Sequence, residues 1–379
     1  MFTIIRLIVL LICTISFFCP GNLKQHTFYS SYQVIIITVL IICGFLASSL
    51  MVFYVILEIV FISIFYFLIK IGIKIERKIS SYYIFFFTVF SSLPLLSYIL
   101  TSNELIKMNC LSRQIIWSNY WRPFVIFIFM VKIPTFGVHM WLPKAHVEAP
   151  LSGSILLSGT LLKIGFYGII RFIHFTKIFI NKWASYPVSL GWISALIMCT
   201  VCFRQLDIKL IVAYSSIVHM GIRMSSVFSA THTGMKGALY RCFSHGLRSP
   251  IMFYCVYLIF NCKNTRRLIT SKGGNFNSPI ITYAVFLVLI PSLGVPPLLP
   301  FFSEFIENIG VLLFRQHFLW LSLIIFFSCG LYLLYFFIYF FHGWRESQST
   351  KLIFYPDLSC VTIMITLLLF TPLLLNPIL

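Results

Sequence analysis

The chain has 379 residues, of which 60% are hydrophobic and only 10% are charged. Soluble domains are roughly half apolar and a quarter charged, so this composition excludes a soluble fold and a soluble catalytic domain. The net charge of +19 would suit nucleic acid, but the Lys and Arg residues stand singly or in small clusters at the ends of apolar runs. Lipid head groups and topology signals favour such positions. We therefore predict an all-α polytopic membrane protein with no nucleic-acid partner.

Apolar runs near the length of a membrane-spanning helix, about 20 residues, follow one another along the chain. The first run has one basic residue before an apolar stretch, as a signal peptide does. We expect an uncleaved transmembrane helix instead, because the first span of a polytopic protein can direct insertion itself. We predict about 12 transmembrane helices in a single membrane domain, 1–379. The runs are 2–19, 33–48, 49–72, 81–100, 116–138, 150–173, 186–203, 208–229, 235–261, 279–315 (interrupted), 317–341 and 352–375.

A short sequence motif occurs twice, once in each half of the chain. Residues 133–143 read IPTFGVHMWLP and residues 290–300 read IPSLGVPPLLP, so six positions are identical at a constant offset of 157 residues (290 minus 133). Each copy places helix-breaking residues inside an apolar run, namely Pro134 and Gly137, and Pro291 and Gly294.

Proline removes a helix hydrogen bond and clashes with the preceding turn, so each run should be broken. Freed backbone at membrane depth is tolerated where it is buried in protein or lines a water-filled cavity. Two broken helices in corresponding places are typical of transporters built from repeats. We predict breaks near 134–138 and 291–297, repeat halves at 33–173 and 186–341, and a C-terminal helix at 352–375.

Four charged residues stand inside apolar runs, where a charge costs about 2.5–3.5 kcal/mol at the bilayer centre on insertion scales. Such groups are tolerated where they face a hydrated interior and pair. Burial also brings the proton affinities of lysine and glutamate closer together, so the two can exchange protons near neutral pH. A lysine beside a glutamate holds its proton until the carboxylate is neutralised or moves away. We interpret these residues as proton carriers: Glu58, Lys132, Lys163 and Glu304, with Glu307 able to share or replace the role of Glu304.

Two histidines inside apolar stretches, His219 and His245, are predicted to take part in the same relay. Imidazole titrates near physiological pH and both donates and accepts hydrogen bonds. A buried histidine is also often a structural hydrogen-bonding group, and His139 and His146, which flank the first break, suit either role. Two basic residues are interpreted as extending toward the interface from span ends, Lys144 and Arg171.

The remaining motifs give no sign of a metal or nucleotide site. Of the eleven cysteines, only Cys199 and Cys202 form a C-x-x-C, and a zinc or iron–sulfur site would need a second pair of ligands. We interpret the cysteines as small apolar residues. Nucleotide-binding glycine motifs are absent from the sequence. We predict no metal site and no cofactor-binding site, so that any redox chemistry takes place in another polypeptide.

Residues 131–171, VKIPTFGVHMWLPKAHVEAPLSGSILLSGTLLKIGFYGIIR, resemble the antiporter-like subunits of mitochondrial NADH–ubiquinone oxidoreductase, respiratory complex I. The stretches AYSSIVHMG (213–221), FSHGL (243–247) and SEF (303–305) continue the resemblance, which runs from about residue 34 to the C-terminus. This family is similar to Mrp-type cation/proton antiporter subunits. The resemblance implies two inverted five-helix repeats, each with a broken helix.

The resemblance also implies a chain of protonatable groups across the membrane domain. By motif, Glu58 looks like a paired glutamate, Lys132 its broken-helix partner, Lys163 the central lysine, Glu304 the distal exit residue, and His219 and His245 the linking histidines. Three arginines, Arg223, Arg241 and Arg248, depart from the family pattern, and the sequence offers no physical account of them. Fewer spans precede Glu58 than is usual in the family, so we expect a shortened N-terminus or helices supplied by another chain.

The family implies a proton-translocating membrane-arm subunit of an NADH:ubiquinone reductase, which couples electron transfer from NADH to ubiquinone to proton pumping across the mitochondrial inner membrane. FMN, iron–sulfur clusters and ubiquinone are then expected in partner subunits, and the partners include other membrane-arm subunits and lipids such as cardiolipin. The 41 phenylalanines fit an AT-rich organellar genome. Two alternatives stay open, a free-standing cation/proton antiporter subunit and a non-pumping scaffold of the same complex.

Overall fold

The computed structural model describes residues 27–71, 75–101, 121–176, 184–263, 265–268 and 279–341, together with 362, 366 and 369. The predicted span 2–19 and nearly all of 352–375 lie outside the described residues. Within the described ranges the regular structure is helical, and nothing longer than an isolated bridge such as Asp207–Arg267 forms a strand. The all-α prediction is confirmed.

Most helices follow the apolar runs. The helices that begin at Thr27 and Ile75 start six residues before the predicted spans 33–48 and 81–100, and Trp141–Glu148 lies between the predicted spans 116–138 and 150–173. Their bounds are α1 (Thr27–Leu46), α2 (Leu50–Ile71), α3 (Ile75–Thr101), α4 (Trp121–Lys132), α5 (Trp141–Glu148), α6 (Leu151–Leu156), a π-helical turn (Leu157–Leu161), α7 (Leu162–Thr176), α8 (Ser185–Arg204), α9 (Ile208–Phe228), α10 (His232–Lys263), α11 (Pro279–Leu293), α12 (Leu299–Phe314) and α13 (Phe318–Phe341). Among these described elements, six stretches are long and apolar enough to cross a membrane: α2, α3, the continuous run from α6 to α7, α8, α9 and α13. The chain is a multi-pass membrane protein.

The chain divides into two compact units, with the boundary between Gly191 and Trp192 inside α8. The first unit contains α1 to α7, and the second contains α9 to α13. The predicted repeat halves at 33–173 and 186–341, the inverted relation between them, and their membership in a single membrane domain stay predictions.

Helix α2 shows how apolar residues are divided between a protein face and a lipid face. Its exposed residues recur every three or four positions, which places them in one stripe along the helix: Val52, Val55, Ile59, Ile62 and Tyr66. Its buried residues form the opposite face and include Phe53, Leu57, Phe61, Ile64 and Leu68. Both faces are apolar, and a helix that is hydrophobic all round is stable only in a core or in a membrane.

The helix that carries Lys163 differs from α13 in how much of it the protein covers. The apolar window of Leu151–Ile173 is 100% buried, whereas that of Phe318–Tyr339 in α13 is 22% buried. Basic side chains near the ends of spans can extend to the membrane interface. Lys163 cannot do so, because protein covers its helix on all sides.

Both predicted breaks are present, each with a glycine at the equivalent position. The helix α4 ends at Lys132 and α5 begins at Trp141, while α11 ends at Leu293 and α12 begins at Leu299. Gly137 has a φ of 95° and Gly294 a φ of 69°, a region that costs other residues roughly 1–2 kcal/mol. These two glycines are related by the 157-residue offset, so the repeated sequence motif coincides with a repeated backbone conformation.

The second break begins later than the position of its proline suggests. Pro291 was predicted to interrupt the helix, but it lies inside the last turn of α11, which continues to Leu293. Proline holds φ near −65°, which is compatible with a helix, and the chain leaves the helical path only at Gly294. Pro134, in contrast, lies in the first break itself, after the end of α4.

Helices α10 and α12 approach each other closely through three glycines. A Cβ at Gly237 would lie 2.5 Å from the backbone nitrogen of Glu307, and a Cβ at Gly310 would collide with the backbone of Gly234. Thr231 Oγ1 donates to the Gly310 carbonyl at 2.8 Å and fixes the contact. This approach brings the polar residues in the middle of α10 within reach of the carboxylates of α12.

We expect Gly310→Ala to lower the free energy of unfolding by about 3 kcal/mol, near the upper end of the usual cost of overpacking, because its methyl group would meet backbone atoms that cannot rotate away. Gly330→Ala in α13 is the matched control, since a Cβ there meets nothing within 4 Å and alanine favours the helix. Denaturant unfolding of the detergent-solubilised protein measures both. Equal stability of the two variants would contradict the close approach of α10 and α12.

Candidate functional site

The first charge cluster joins α2 to the end of α4. Lys132 Nζ lies 3.4 Å from Glu58 Oε1, and the two side chains are 2% and 15% exposed. The ring of Phe61 lies 5.7 Å from the same ammonium group. An ion pair in an apolar interior is maintained only where its geometry offsets the loss of hydration, so removal of either residue would leave the charge of the other uncompensated.

Helix α4 ends at Lys132 because Pro134 changes the pattern of backbone hydrogen bonds that follows. Proline has no N–H to give to the carbonyl of Met130, and the N–H of Thr135 reaches that carbonyl instead, at 3.2 Å. The carbonyl of Val131 accepts from Trp141 Nε1 at 3.0 Å. The freed carbonyls of the break are thereby satisfied by protein groups, as an apolar surrounding requires.

Lys163 follows a π-helical turn that sequence periodicity did not reveal. The run 150–173 was predicted as one regular helix, but residues Leu157–Leu161 form the wider π turn. The ammonium group of Lys163 donates to the carbonyl of Ser158, inside that turn. Single π turns occur frequently at functional sites. The turn contains three small residues, Ser158, Gly159 and Thr160. Their small size was the only feature of the sequence that could have indicated the π turn.

Helix α7 packs against α4 close to both lysines. A Cβ at Gly165, two residues after Lys163, would lie 3.3 Å from Lys132 Cβ. The structure therefore places the first cluster and the central lysine on touching helices, as the relay hypothesis requires of them.

The second charge cluster is centred on Arg241 of α10. Arg241 Nη2 lies 3.1 Å from Glu304 Oε1, and Arg241 Nε lies 2.5 Å from Glu307 Oε2. The hydroxyl of Ser226 donates to Glu307 Oε1 at 3.3 Å. One guanidinium group therefore holds two carboxylates of α12, one of them (Glu307) without any exposed surface.

Glu304 also lies beside the second helix break, since a Cβ at Gly294 would be 3.2 Å from its Oε2. The two clusters are thus arranged alike. Each contains a buried cation–carboxylate pair next to a helix break at a glycine of positive φ. In the first unit the cation precedes the break, whereas in the second the carboxylate follows it.

The two histidines lie at the edge of the second cluster. His219 Nδ1 is 3.4 Å from Arg241 Nη1 and 3.9 Å from Glu304 Oε1. The rings of His219 and His245 meet edge-on, with centroids 6.1 Å apart. The structure therefore brings His219, His245 and Glu304 close together in the second unit. Their role in a proton relay stays a prediction.

The three arginines that the sequence could not explain are part of this cluster. Arg223 is fully buried, donates its Nε to the carbonyl of His219 at 3.2 Å, and interacts electrostatically with Glu307. Arg248 donates to the carbonyl of Ser292 at 3.5 Å and interacts electrostatically with Glu304. The cost of a charge in an apolar helix, which singled out Glu304, applies equally to these arginines. Arg241 forms ion pairs with carboxylates, whereas Arg223 and Arg248 donate to backbone carbonyls.

Other residues that the sequence singled out have local partners. Lys144 Nζ lies 3.4 Å from the ring centroid of Tyr83, and Arg171 Nε donates to Tyr167 Oη at 3.1 Å. His139 stacks on Phe136 within the first break. His146 is fully buried in α5. Their roles stay open.

Among the described residues, no group of three or more His, Cys, Asp and Glu side chains is placed to hold a metal ion. Cys199 faces Cys329 of α13, with the two sulfur atoms 3.6 Å apart. The prediction that this chain binds no metal and no cofactor stays a prediction.

Buried pairs of opposite charge beside broken helices place the chain among polytopic membrane proteins with charged groups inside the helical bundle. Residues 47–331 match the family described as NADH:quinone oxidoreductase/Mrp antiporter, TM. This match covers well over half of the chain, which therefore belongs to that family.

The chain is 35% identical over 290 residues to NADH-ubiquinone oxidoreductase chain 4 of Paracentrotus lividus, an alignment that covers 73% of this chain and 61% of that protein. It is 32% identical over 307 residues to NADH-ubiquinone oxidoreductase chain 4 of Locusta migratoria, with coverage of 80% and 69%. The alignment thus spans less than two thirds of the length of the first relative. The fold is similar to a chain in the structure of respiratory complex I from Thermus thermophilus with bound NADH, with a TM-score of 0.85 and 22% identity over 96% of this chain and 80% of that chain.

We expect Arg241→Gln to lower the free energy of unfolding by about 3–5 kcal/mol, because removing one partner of a buried ion pair leaves the others uncompensated. The matched control is Arg315→Gln, at the exposed end of α12, where a loss below about 1 kcal/mol is expected. Denaturant unfolding measures both, and the double variant Arg241→Gln/Glu307→Gln should recover part of the loss. If Arg241→Gln were as mild as Arg315→Gln, the guanidinium would not be what holds the two carboxylates.

Proposed function

We propose that this chain is a proton-translocating membrane-arm subunit of an NADH:ubiquinone oxidoreductase, of the chain 4 type. The relatives that carry that name support the proposal, and so does membership in the family. The observation that carries it is the buried pair of Glu58 and Lys132 at the first helix break. A structural ion pair could equally be placed on an unbroken helix, whereas this pair lies where α4 ends and Gly137 adopts a positive φ.

The proposed mechanism uses the dependence of Lys132 on Glu58. While the carboxylate is charged and close, the ammonium group holds its proton. When the carboxylate is neutralised or moves away, the proton passes toward Lys163, which the carbonyl of Ser158 orients. In the second unit a proton moves by way of His219 and His245 to Glu304. Arg241 takes no proton itself, because a guanidinium stays charged in proteins.

The redox chemistry that drives this relay is proposed to lie in partner subunits, which hold FMN, iron–sulfur clusters and ubiquinone. The proposed partners are other membrane-arm subunits and lipids such as cardiolipin. The proposed location is the mitochondrial inner membrane, with the chain encoded in the organelle. A free-standing antiporter subunit and a non-pumping scaffold are the outcomes against which the proposal is tested.

We expect the chain to comigrate with a very large assembly that oxidises NADH when native membranes are gently solubilised and separated on a native gel. Immunodetection of this chain and an in-gel NADH oxidation stain give the two readings. Migration in a small assembly without NADH oxidation would discard the proposal in favour of an antiporter subunit.

We expect Lys163→Ala to slow ubiquinone reduction by at least about tenfold, since a positioned proton donor contributes roughly 10²–10⁴-fold to a rate. The number of protons pumped per NADH should also fall. Proton uptake by reconstituted vesicles during NADH oxidation measures this. Lys70→Ala is the control, because Lys70 is exposed at the end of α2. Normal stoichiometry in assembled Lys163→Ala protein would favour the scaffold alternative.

A further inference from the structure

The second unit contains a small polar cavity that the relay described so far does not use. It lies among α9, α10, α11 and α13 and has room for about one water molecule. Its wall includes His219, His245, Arg248 and Tyr332, together with serines of three helices. Both histidines of the proposed relay therefore open onto the same space.

Tyr332 contributes a hydroxyl group that needs a partner. The side chain is 1% exposed, and its Oη has no hydrogen-bond partner among the residues that the structure describes. Leaving a buried donor unpaired costs about 1–3 kcal/mol. The neighbouring helices keep the ring in place, with Phe203 of α8 meeting it edge-on at 6.3 Å between centroids.

The serines of the cavity offer acceptors and no donors. Ser216, Ser249 and Ser292 each donate their hydroxyl proton to a backbone carbonyl of the preceding helical turn, at 2.6–3.1 Å. A hydroxyl oxygen that donates its proton can still accept, while Tyr332 and Arg248 supply donors at the cavity wall. The serine lone pairs would repel an anion, and the guanidinium of Arg248 would repel a metal cation. Water both donates and accepts, so it fits this mixture.

We propose that the cavity binds one ordered water molecule that joins His219 to His245, and that Tyr332 is the positioning residue that holds this water by donating its hydroxyl proton. The proposal rests on the proton-translocating function proposed above. Nδ1 of His219 already faces Arg241 and Glu304, which leaves its other ring nitrogen for exchange with the water.

The transfer step leaves the water unchanged. Its oxygen forms a bond to the proton of one imidazole N–H as that N–H bond breaks, and one of its own O–H bonds breaks as that proton joins the lone pair of the other imidazole. The imidazole that gave a proton regains one at its second nitrogen. Tyr332 keeps its own proton throughout and only fixes where the water oxygen lies.

The test compares Tyr332→Phe with Tyr335→Phe in the assembled complex. Tyr335 lies one turn further along α13, is 38% exposed, and is not part of the cavity wall. We expect Tyr332→Phe to slow NADH-driven ubiquinone reduction severalfold and to raise its solvent deuterium isotope effect. NADH oxidation by a water-soluble artificial electron acceptor and assembly on a native gel should match the parent, and Tyr335→Phe should match it in every reading.

A high-resolution map of the parent complex should show one water within hydrogen-bonding distance of Tyr332 Oη, and the map of Tyr332→Phe should show it lost or displaced. The inference is overturned if other buried waters are visible and this cavity has none, or if Tyr332→Phe leaves the rate and the isotope effect unchanged. In either case a parent complex that pumps protons and loses pumping in Lys163→Ala leaves the proposed function standing. A parent complex that does not pump would instead reject the proposed function.

Discussion

The structure depends on one constraint, that a charge inside an apolar helical bundle must meet an opposite charge or a strong hydrogen-bond partner. Lys132 meets Glu58, Lys163 meets the carbonyl of Ser158, and Arg241 meets two carboxylates. In water such pairs contribute little, but here each partner would be uncompensated without the other. Within each unit, the helices that carry these groups are therefore held together by these contacts.

The two helix breaks decide where these charges lie. Gly137 and Gly294 turn the chain at equivalent positions, yet the charged groups beside them are not themselves repeated. At the same offset Lys132 corresponds to Leu289, and Glu304 corresponds to Val147. The backbone feature recurs while the side chains differ, so the two units present a cation at one break and a carboxylate at the other.

The two clusters also differ in which groups can release a proton. A lysine can lose its proton when its environment changes, whereas an arginine stays charged. In the first cluster both members of the pair are able to exchange protons. In the second, three arginines supply fixed positive charge, and the carboxylates and histidines are the groups to which the proposed relay assigns proton exchange. The three arginines of this cluster thus contribute positive charge, and the proposed relay assigns no proton transfer to them.

The sequence by itself determined the membrane class, most of the described helices, both breaks and the four charged residues inside apolar runs, but it did not predict α5 (Trp141–Glu148). These follow from hydropathy, from the backbone chemistry of proline and glycine, and from the cost of burying charge, all of which act locally along the chain. Only the tertiary structure decided that Arg241 bridges Glu304 and Glu307, that a π turn precedes Lys163, and that Tyr332 faces the histidines. Those facts depend on how closely separate helices approach, and the glycine contacts between α10 and α12 bring together residues more than 60 positions apart in sequence (304 minus 241).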